Sequence, residues 1–249
     1  GRTAGISIFS SEQPFRDFGF NIIKTLGMFN VAGDFNWRHN FAGRPELFWP
    51  VGLLFLYGFY LSVKKIKFEK FSAIPEITIL SWFFIVMLPV VVSNEGLPHA
   101  LRSILMIPPV FILSAVGGMK IYEMLKTKLI SRRLLAVGCW LFFSLLLFES
   151  YSTYFEAWGK HPEVKKSFAY NDYLIAQQLN SLPRELPKYV VLKDFNGVIE
   201  RDNPISLQSI LFLTDTFTDA KRKAKNIIYL TGGQAKSAEL SENSFIISL

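Results

Sequence analysis

Four long apolar segments stand out in the first part of this 249-residue chain. They cover residues 47–63, 77–93, 103–119 and 134–148, and none of them contains a charged residue. A bilayer span needs about 17–25 residues, so each segment is expected to take flanking residues into the membrane interface. Buried helices of a soluble bundle would instead show a polar face about every 3.6 residues, and these segments lack one. The pattern therefore predicts four transmembrane helices.

The residues before the first span carry a helical pattern of their own. Apolar residues spaced three and four apart form one predicted helix face, which consists of Phe15, Phe18, Ile22, Leu26 and Phe29. Such a helix either packs against the other helices or lies in the membrane interface, and the pattern leaves both interpretations open.

After the fourth span the composition becomes that of a soluble α/β unit. Helices are predicted at 171–180 and 204–213, the second with Asn203 as its N-cap and Pro204 at its first position. Short apolar runs predict strands at 189–192, 226–230 and 244–249. Alternation of strands and helices favours a small α/β domain.

Three further features after the fourth span have structural interpretations without a role in catalysis or binding. Gly232-Gly233 follows a predicted strand without a nucleotide-binding motif around it, so the pair is interpreted as a turn. A basic run, which contains Lys221, Arg222, Lys223 and Lys225, is interpreted as a solvated helix face or loop. Tyr151, Tyr154, Phe155 and Trp158 are interpreted as an aromatic belt where the fourth span leaves the membrane.

Basic residues indicate the orientation in the membrane. The chain has 27 basic and 20 acidic side chains, a net charge of +7 and a hydrophobic content of 50%. The linkers 64–76 and 120–133 carry net charges of +2 and +4, so they hold nearly all of this excess. Cytoplasmic loops are enriched in Lys and Arg, which predicts that both linkers are cytoplasmic. The basic excess is thus a topology signal, and no nucleic-acid partner is predicted.

This orientation predicts three parts of the chain. Residues 1–46 form an extracytoplasmic segment with an amphipathic helix and a loop, 47–148 form four transmembrane helices, and 149–249 form an extracytoplasmic α/β domain. The single cysteine, Cys139, excludes an intramolecular disulfide. Cysteine and histidine show no metal-ligand spacing, so no metal ligands and no cofactor are predicted, and a divalent metal ion is left open.

The first stretch with candidate chemistry lies just before the first span. Residues 33–45, which read GDFNWRHNFAGRP, contain two glycines and a proline, a composition that indicates an ordered loop. Arg38 and Arg44 offer hydrogen-bond donors to a phosphate or a carboxylate, and Trp37 can stack on a sugar ring. Alternatively, these side chains anchor the loop among lipid headgroups without specificity.

The second stretch is the turn between the second and third spans. Residues 93–103 read SNEGLPHALRS, and Pro98 is expected in the first turn of a helix. That helix would place His99 and Arg102 within one turn of each other and beside free backbone N–H groups, which predicts an anion site at the membrane surface. The alternative is a structural hairpin closed by an Arg102–Glu95 ion pair.

These two stretches resemble the C-terminal half of polytopic GT-C glycosyltransferases. Within that superfamily the chain is most similar to bacterial protein-mannosyltransferase-type members, which use polyprenyl-phosphate sugars. The similarity covers about residues 20–120 and is most specific in the PHALRS run at 98–103. Members of the family carry catalytic acidic residues in an early extracytoplasmic loop, and no position of this chain matches that loop. The resemblance therefore implies a fragment of a longer protein, without the catalytic carboxylate.

The resemblance implies transfer of a sugar from a polyprenyl-phosphate donor to an extracytoplasmic acceptor, in a bacterial cytoplasmic membrane. Its partners would be membrane lipid and the lipid-linked donor, and the oligomeric state is not predicted. Arg102, assisted by His99, is the candidate for binding the donor phosphate. Secondary candidates for the same phosphate are Arg38, His39 and Arg44, and Trp37 is the candidate for stacking on the sugar.

One alternative to an enzyme stays open. The same helices could belong to a noncatalytic membrane subunit or scaffold that assembles with other proteins of the cell envelope. A transporter is disfavoured, because the predicted spans contain almost no polar residues at mid-depth, where a solute pathway would need them.

Overall fold

The structure is a computed structural model. It describes residues 7–69, 72–93, 96–127, 131–192, 199–200, 203–204, 207–237 and 244–248. Contacts divide the chain into two compact units, Gly1–Val164 and Lys165–Leu249. Composition had placed the start of the second domain at residue 149. The division lies later because the helix of the fourth predicted span continues past that point and contacts the loop at 33–45.

The described part of the first unit consists mostly of helices. Its helices are α1 (Pro14–Gly27), α2 (Trp49–Phe68), α3 (Ile74–Val91), α4 (Ile107–Thr127) and α5 (Arg132–Tyr151), and α5 runs on into a π-helical segment (Ser152–Trp158). Short 3-10 turns occupy Ile8–Ser10 and Ile104–Met106. All four predicted apolar segments are thus helical.

Among the described residues, three helical stretches are long and apolar enough to cross a membrane, namely Ile74–Val91, Ile104–Thr127 and Arg132–Trp158. They indicate a membrane protein by length and composition. Helix α2, which holds the first predicted span, is not among the three, and its last turns carry Lys64, Lys65 and Lys67.

Helices α2 and α4 approach each other closely at two glycines. A Cβ atom on Gly58 would overlap the carbonyl oxygen of Leu113, and a Cβ atom on Gly117 would overlap that of Leu54. Glycine is therefore required at both positions, because only its missing side chain lets the two backbones meet. Small residues of this kind allow close packing of helices in membranes.

An aromatic core joins the end of α1 to α2 and α3. The ring centroids of Phe29, Phe55 and Phe83 lie 5.6 to 6.2 Å apart. The buried apolar residues around them are Met28, Leu47, Leu80, Met87, Val91, Met106, Val110 and Leu113. This core holds the N-terminal ends of α2 and α4 beside the C-terminal end of α3, where the two candidate loops lie.

Helix α1 buries part of the predicted face, together with polar residues beside it. Phe18 and Ile22 pack against the core, and Asn21 and Thr25 are buried beside them, whereas Phe15 is exposed. The amide Nδ2 of Asn21 donates to the carbonyl oxygen of Val91 at 2.9 Å, near the end of α3. Val91 is the last residue of α3, so its carbonyl oxygen has no partner within that helix, and Asn21 supplies one. The polar residues Asn21 and Thr25 therefore lie on the buried face of α1.

The expected helix start at Pro98 is wrong. Turns occupy the residues after Gly96, the 3-10 turn Ile104–Met106 follows, and α4 begins only at Ile107. Pro108 and Pro109 lie in the first turn of α4, where proline is favoured because the N–H that it lacks would have no helical partner. The N–H of Ala100, in the turn, donates instead to a side chain of the first candidate loop.

The second unit is a small α/β unit around a three-stranded parallel sheet, in the order β4-β1-β5. Its elements are α6 (Pro162–Ser167, at the boundary), α7 (Tyr170–Ser181), β1 (Lys188–Leu192), β2 (Ile199–Glu200), β3 (Asn203–Pro204), α8 (Gln208–Leu213), α9 (Asp219–Lys225), β4 (Ile227–Thr231), α10 (Gly232–Ser237) and β5 (Phe245–Ser248). Side chains of α7 and α8 pack against the sheet around Val190, Ile210 and Ile227.

Most of the elements predicted for this unit are confirmed. The helix at 171–180 and the three strands at 189–192, 226–230 and 244–249 are present, and the basic run lies on α9, with Lys221 and Lys223 exposed. Two predictions are wrong. Asn203 and Pro204 pair with β2 as a strand, so they do not start the following helix. Gly232 and Gly233 begin α10 and are not a turn.

Lys188 is a buried cation at the start of the central strand of this sheet. Its residue surface is 1% exposed, and its Nζ donates to the carbonyl oxygens of Pro183, Leu186 and Lys225 at 2.6, 3.0 and 3.0 Å. Burial lowers the pKa of Lys188 below its usual value of 10.5. The ammonium group thus ties the loop before β1 to the end of α9.

Replacing Lys188 with methionine should destabilise the second unit by about 2 kcal/mol or more, since three buried carbonyl groups lose a charged donor. Hydrogen exchange of the β1 amides in the full chain measures this effect. Lys223→Met, on the exposed face of α9, is the control and should change little. Equal exchange in the two variants would contradict this role of Lys188.

The stability of the second unit should also depend on pH. Because the folded-state pKa of Lys188 is lowered, the free energy of unfolding of the wild type should rise with pH from that lowered pKa up to about 10.5.

Candidate functional site

The two candidate stretches meet at a buried carboxylate. Asp34, in the loop at 33–45, is 2% exposed. Its Oδ2 accepts hydrogen bonds from His39 Nδ1 and from the backbone N–H of Ala100, each at 2.8 Å. The rings of His39 and His99 lie side by side, with centroids 4.9 Å apart. Asp34, His39 and His99 therefore form one cluster at the end of the helices where α3 ends and α2 and α4 begin.

The loop around Asp34 is ordered by its own polar contacts. The backbone N–H of Asn36 donates to Asp34 Oδ1 at 2.7 Å, and the N–H of Gly43 donates to the carbonyl oxygen of Asp34 at 2.9 Å. Gly43 has a φ of +77°, which favours glycine. A side chain on Gly33 would overlap the carbonyl oxygen of Arg44. The two glycines therefore have specific roles in closing the loop.

Glu46 supports the loop from the side of α2. Its Oε1 accepts from the backbone N–H of Asp34 at 3.0 Å and from Asn40 Nδ2 at 3.2 Å. Burial raises the pKa of the Glu46 carboxyl above its ordinary value, and the negative charge of Asp34 acts in the same direction. The bond from the Asp34 N–H opposes this shift. A second acidic group, with a raised pKa, is thus held close to the cluster.

His99 lies in the turn between α3 and α4, and its position is fixed through its backbone. Its carbonyl oxygen accepts from the hydroxyl of Ser103 at 2.9 Å, and Ser103 is buried beside Met28. Arg102 is close by, with its backbone N–H 3.4 Å from His99 Nδ1 and its guanidinium bonded to the hydroxyl of Ser93. The alternative Arg102–Glu95 pair involves Glu95, which lies outside the described residues.

Arg44 and Trp37 attach the loop to the last helix of the first unit and to the residues that follow it. The Arg44 guanidinium pairs with the Glu149 carboxylate and bonds the hydroxyl of Thr153. The Trp37 ring stacks on His161, with centroids 4.1 Å apart and planes 12° from parallel. These contacts occupy the guanidinium fork and one face of the indole. The structure therefore gives both residues a tethering role, apart from the cluster.

A further hydrogen bond belongs to this tether, by which we mean the contacts of Arg44 and Trp37 with Glu149, Thr153, Trp158 and His161. The indole N–H of Trp158 donates to the carbonyl oxygen of Trp37 at 3.0 Å. Trp158 therefore belongs to the tether, whereas Tyr151, Tyr154 and Phe155 are exposed as a membrane belt would require. Arg38 lies on the surface of the loop, and its backbone N–H donates to Asn36 Oδ1 at 3.0 Å.

Two clefts border the cluster. The larger, of about 440 Å³, is lined by Asp34, Phe35, Asn36, Gly96, Leu97, Pro98 and His99. The other, of about 230 Å³, is lined by His39 and Glu46 and by residues of the tether, among them Arg44 and Trp158. A small polar group can therefore reach the cluster from either cleft.

Comparison with known proteins identifies no family for this chain. No protein-family model, curated protein or solved structure matches the chain. The resemblance to GT-C glycosyltransferases therefore stays a prediction, based on the residues of the two loops.

Sequence reasoning named His39, His99 and Arg102, which the structure brings together, but it missed Asp34 and Glu46. Both carboxylates are visible in the sequence, with Asp34 inside the loop at 33–45 and Glu46 directly after it, just before an apolar span. The available signal was an acidic residue at a place where burial is costly unless it is partnered. What the sequence could not give is the contact between Asp34 and Ala100, which are 66 positions apart.

Proposed function

We propose that this chain is the C-terminal part of an integral membrane glycosyltransferase. The enzyme would transfer a sugar from a polyprenyl-phosphate donor to an extracytoplasmic acceptor in a bacterial cytoplasmic membrane. One observation carries the proposal, namely the convergence of His39 and His99 on the buried Asp34 at the end of the apolar helices. Ionisable groups near a membrane are costly and are usually kept for function.

The chemistry of such a transfer fits these residues. Negative charge builds on the phosphate as the sugar leaves, and fixed cationic groups or N–H donors stabilise that charge. Arg102 and the two imidazoles supply such groups, and the contact with Asp34 Oδ2 orients the His39 ring. A lipid phosphate lies at headgroup level, which is the level expected for loops that join the ends of spans. The cleft beside Asp34 and His99 would admit it.

The proposal includes the finer topology. Four spans, with α2 as the first, would place the linkers 64–76 and 120–133 in the cytoplasm and both ends of the chain outside it. Helix α5 is exposed along nearly its whole length, with Trp140, Leu147 and Phe148 all more than two-thirds exposed. A bilayer or further helices would cover this apolar surface.

A noncatalytic subunit is the second candidate, and one observation favours it. Arg44 and Trp37, two of the residues expected to bind the donor, are engaged by Glu149 and His161 within the protein. If the remaining candidates were also purely structural, the loops would only hold the helices together. The two candidates differ in whether the protein depends on a lipid donor.

Arg102→Ala should raise the donor concentration needed for half-maximal transfer at least tenfold, because a charged donor to phosphate contributes about 1.5–3 kcal/mol. The measurement is a titration of the polyprenyl-phosphate sugar with the full-length protein. Arg16→Ala, on the exposed side of α1, is the control and should leave the titration unchanged. An unchanged donor dependence in Arg102→Ala, with normal expression, would contradict the role of Arg102.

A further inference from the structure

We infer that Asp34, His39 and His99 form a binding site for a divalent transition-metal ion of the Zn²⁺ type. Each residue offers one ligand atom, and the three atoms lie within 4.8 Å of one another. Asp34 and His39 already approach to 2.8 Å between Oδ2 and Nδ1. The sequence does not group these three ligands, because His99 comes from a different loop. This inference rests on the local donor set and does not depend on the proposed transferase activity.

The donor set matches one class of ion. Two imidazoles and one carboxylate are ligands that Zn²⁺ and similar borderline ions prefer, whereas Mg²⁺ and Ca²⁺ favour sites made of oxygen alone. Three protein ligands leave at least one coordination position open, which is the arrangement of catalytic rather than structural zinc sites.

The geometry requires only a small adjustment. Ligand atoms around a tetrahedral ion at about 2.0–2.2 Å lie about 3.4 Å apart. The three atoms lie within 4.8 Å of one another, so the widest separation must close by at most about 1.4 Å, and the 2.8 Å between Asp34 Oδ2 and His39 Nδ1 must open by about 0.6 Å. Rotation of the two imidazoles can provide this movement. The backbone on both sides is already fixed, at Asp34 by the N–H of Gly43, which donates to the Asp34 carbonyl oxygen, and at His99 by the hydroxyl of Ser103.

Neighbouring backbone groups hold the Asp34 ligand in place. The backbone N–H groups of Asn36 and Ala100 donate to the Asp34 carboxylate and hold its orientation. Such outer contacts to ligating groups typically change metal affinity by about 10- to 100-fold. Asp34 and His99 also line the larger cleft, so an external oxygen, from water or from a phosphate, can reach an open position on the ion.

The test uses Co²⁺ as a visible probe and Zn²⁺ as a competitor, with the purified full chain in lipid nanodiscs. The chain has three histidines, and the third, His161, stacks on Trp37 away from the cluster. His161→Asn is therefore a control of the same residue type. We expect one Co²⁺ per chain, displaced by Zn²⁺, in the wild type and in His161→Asn. His39→Asn and His99→Asn should each bind at least tenfold more weakly.

A gain of signal separates ligand loss from misfolding. In His99→Cys a thiolate replaces the imidazole as a ligand, so Co²⁺ binding should return with an intense sulfur-to-cobalt charge-transfer absorption that the wild type lacks. The inference is overturned if the wild type binds no Co²⁺ or Zn²⁺. It is equally overturned if His39→Asn and His161→Asn bind alike, since Asp34 and His39 would then form a hydrogen-bonded pair without metal affinity.

Discussion

Gly117→Ala should destabilise the helical unit by about 2–3 kcal/mol, although alanine is the better helix former. The added methyl group would overlap the carbonyl oxygen of Leu54 and would approach the backbone nitrogen of Gly58 to 2.9 Å. Both neighbours are backbone atoms, so α2 and α4 must move apart to accept it. Overpacking of this kind typically costs about 1–3 kcal/mol. The measurement is the free energy of unfolding in mixed micelles, by titration with a denaturing detergent.

The adjacent residue provides a matched control. A Cβ atom on Gly118 would meet only the end of the Leu54 side chain, at an ordinary contact distance of 3.6 Å. Gly118→Ala gains the same helix propensity, of about 1 kcal/mol, without the overlap. It should therefore be neutral or stabilising. Equal stabilities of the two variants would show that α2 and α4 do not pack at Gly117.

Asp34→Ala should abolish donor-dependent transfer, with a loss of at least about 100-fold, and should loosen the loop at 33–45. Three N–H groups, from Asn36, His39 and Ala100, would lose their acceptor within a largely buried site. An unsatisfied buried donor costs about 1–3 kcal/mol. The measurements are the transfer rate and hydrogen exchange of the loop amides.

The control for Asp34 is Asp17→Ala, in the first turn of α1, where the carboxylate accepts from Ser11. This variant loses a carboxylate and its hydrogen bond on the same unit without touching the cluster. We expect its transfer rate to stay within about twofold of the wild type. If Asp34→Ala were as active as Asp17→Ala, the buried carboxylate would have no part in function.

Local patterns account for the parts of the fold that the sequence predicted. The apolar segments became helices because a long apolar run near a membrane must satisfy its backbone within itself. The strand at 189–192 was equally predictable, since the central strand of a parallel sheet is buried on both faces and reads as a continuous apolar run. The confirmed elements thus depend on short-range chemistry that the sequence displays directly.

The wrong helix start arose because a backbone N–H group binds a side chain that is distant in the sequence. Pro98 looked like a helix start, but the N–H of Ala100 serves Asp34, and α4 starts at the later proline pair. Arg44, a candidate anion ligand, pairs with Glu149, 105 positions further along the chain, and the local pattern does not show this contact. A single sequence contains no measure of such pairings, so tethering and ligand-binding arginines look identical in it.

The most direct test of the central claim is transfer of a labelled sugar from a polyprenyl phosphate in sealed vesicles that contain the full-length protein. Wild type, His39→Asn and His161→Asn are compared at equal protein content. We expect donor-dependent transfer by the wild type and by His161→Asn, and its loss in His39→Asn. Absence of transfer by the wild type, or equal rates in the two histidine variants, would contradict it.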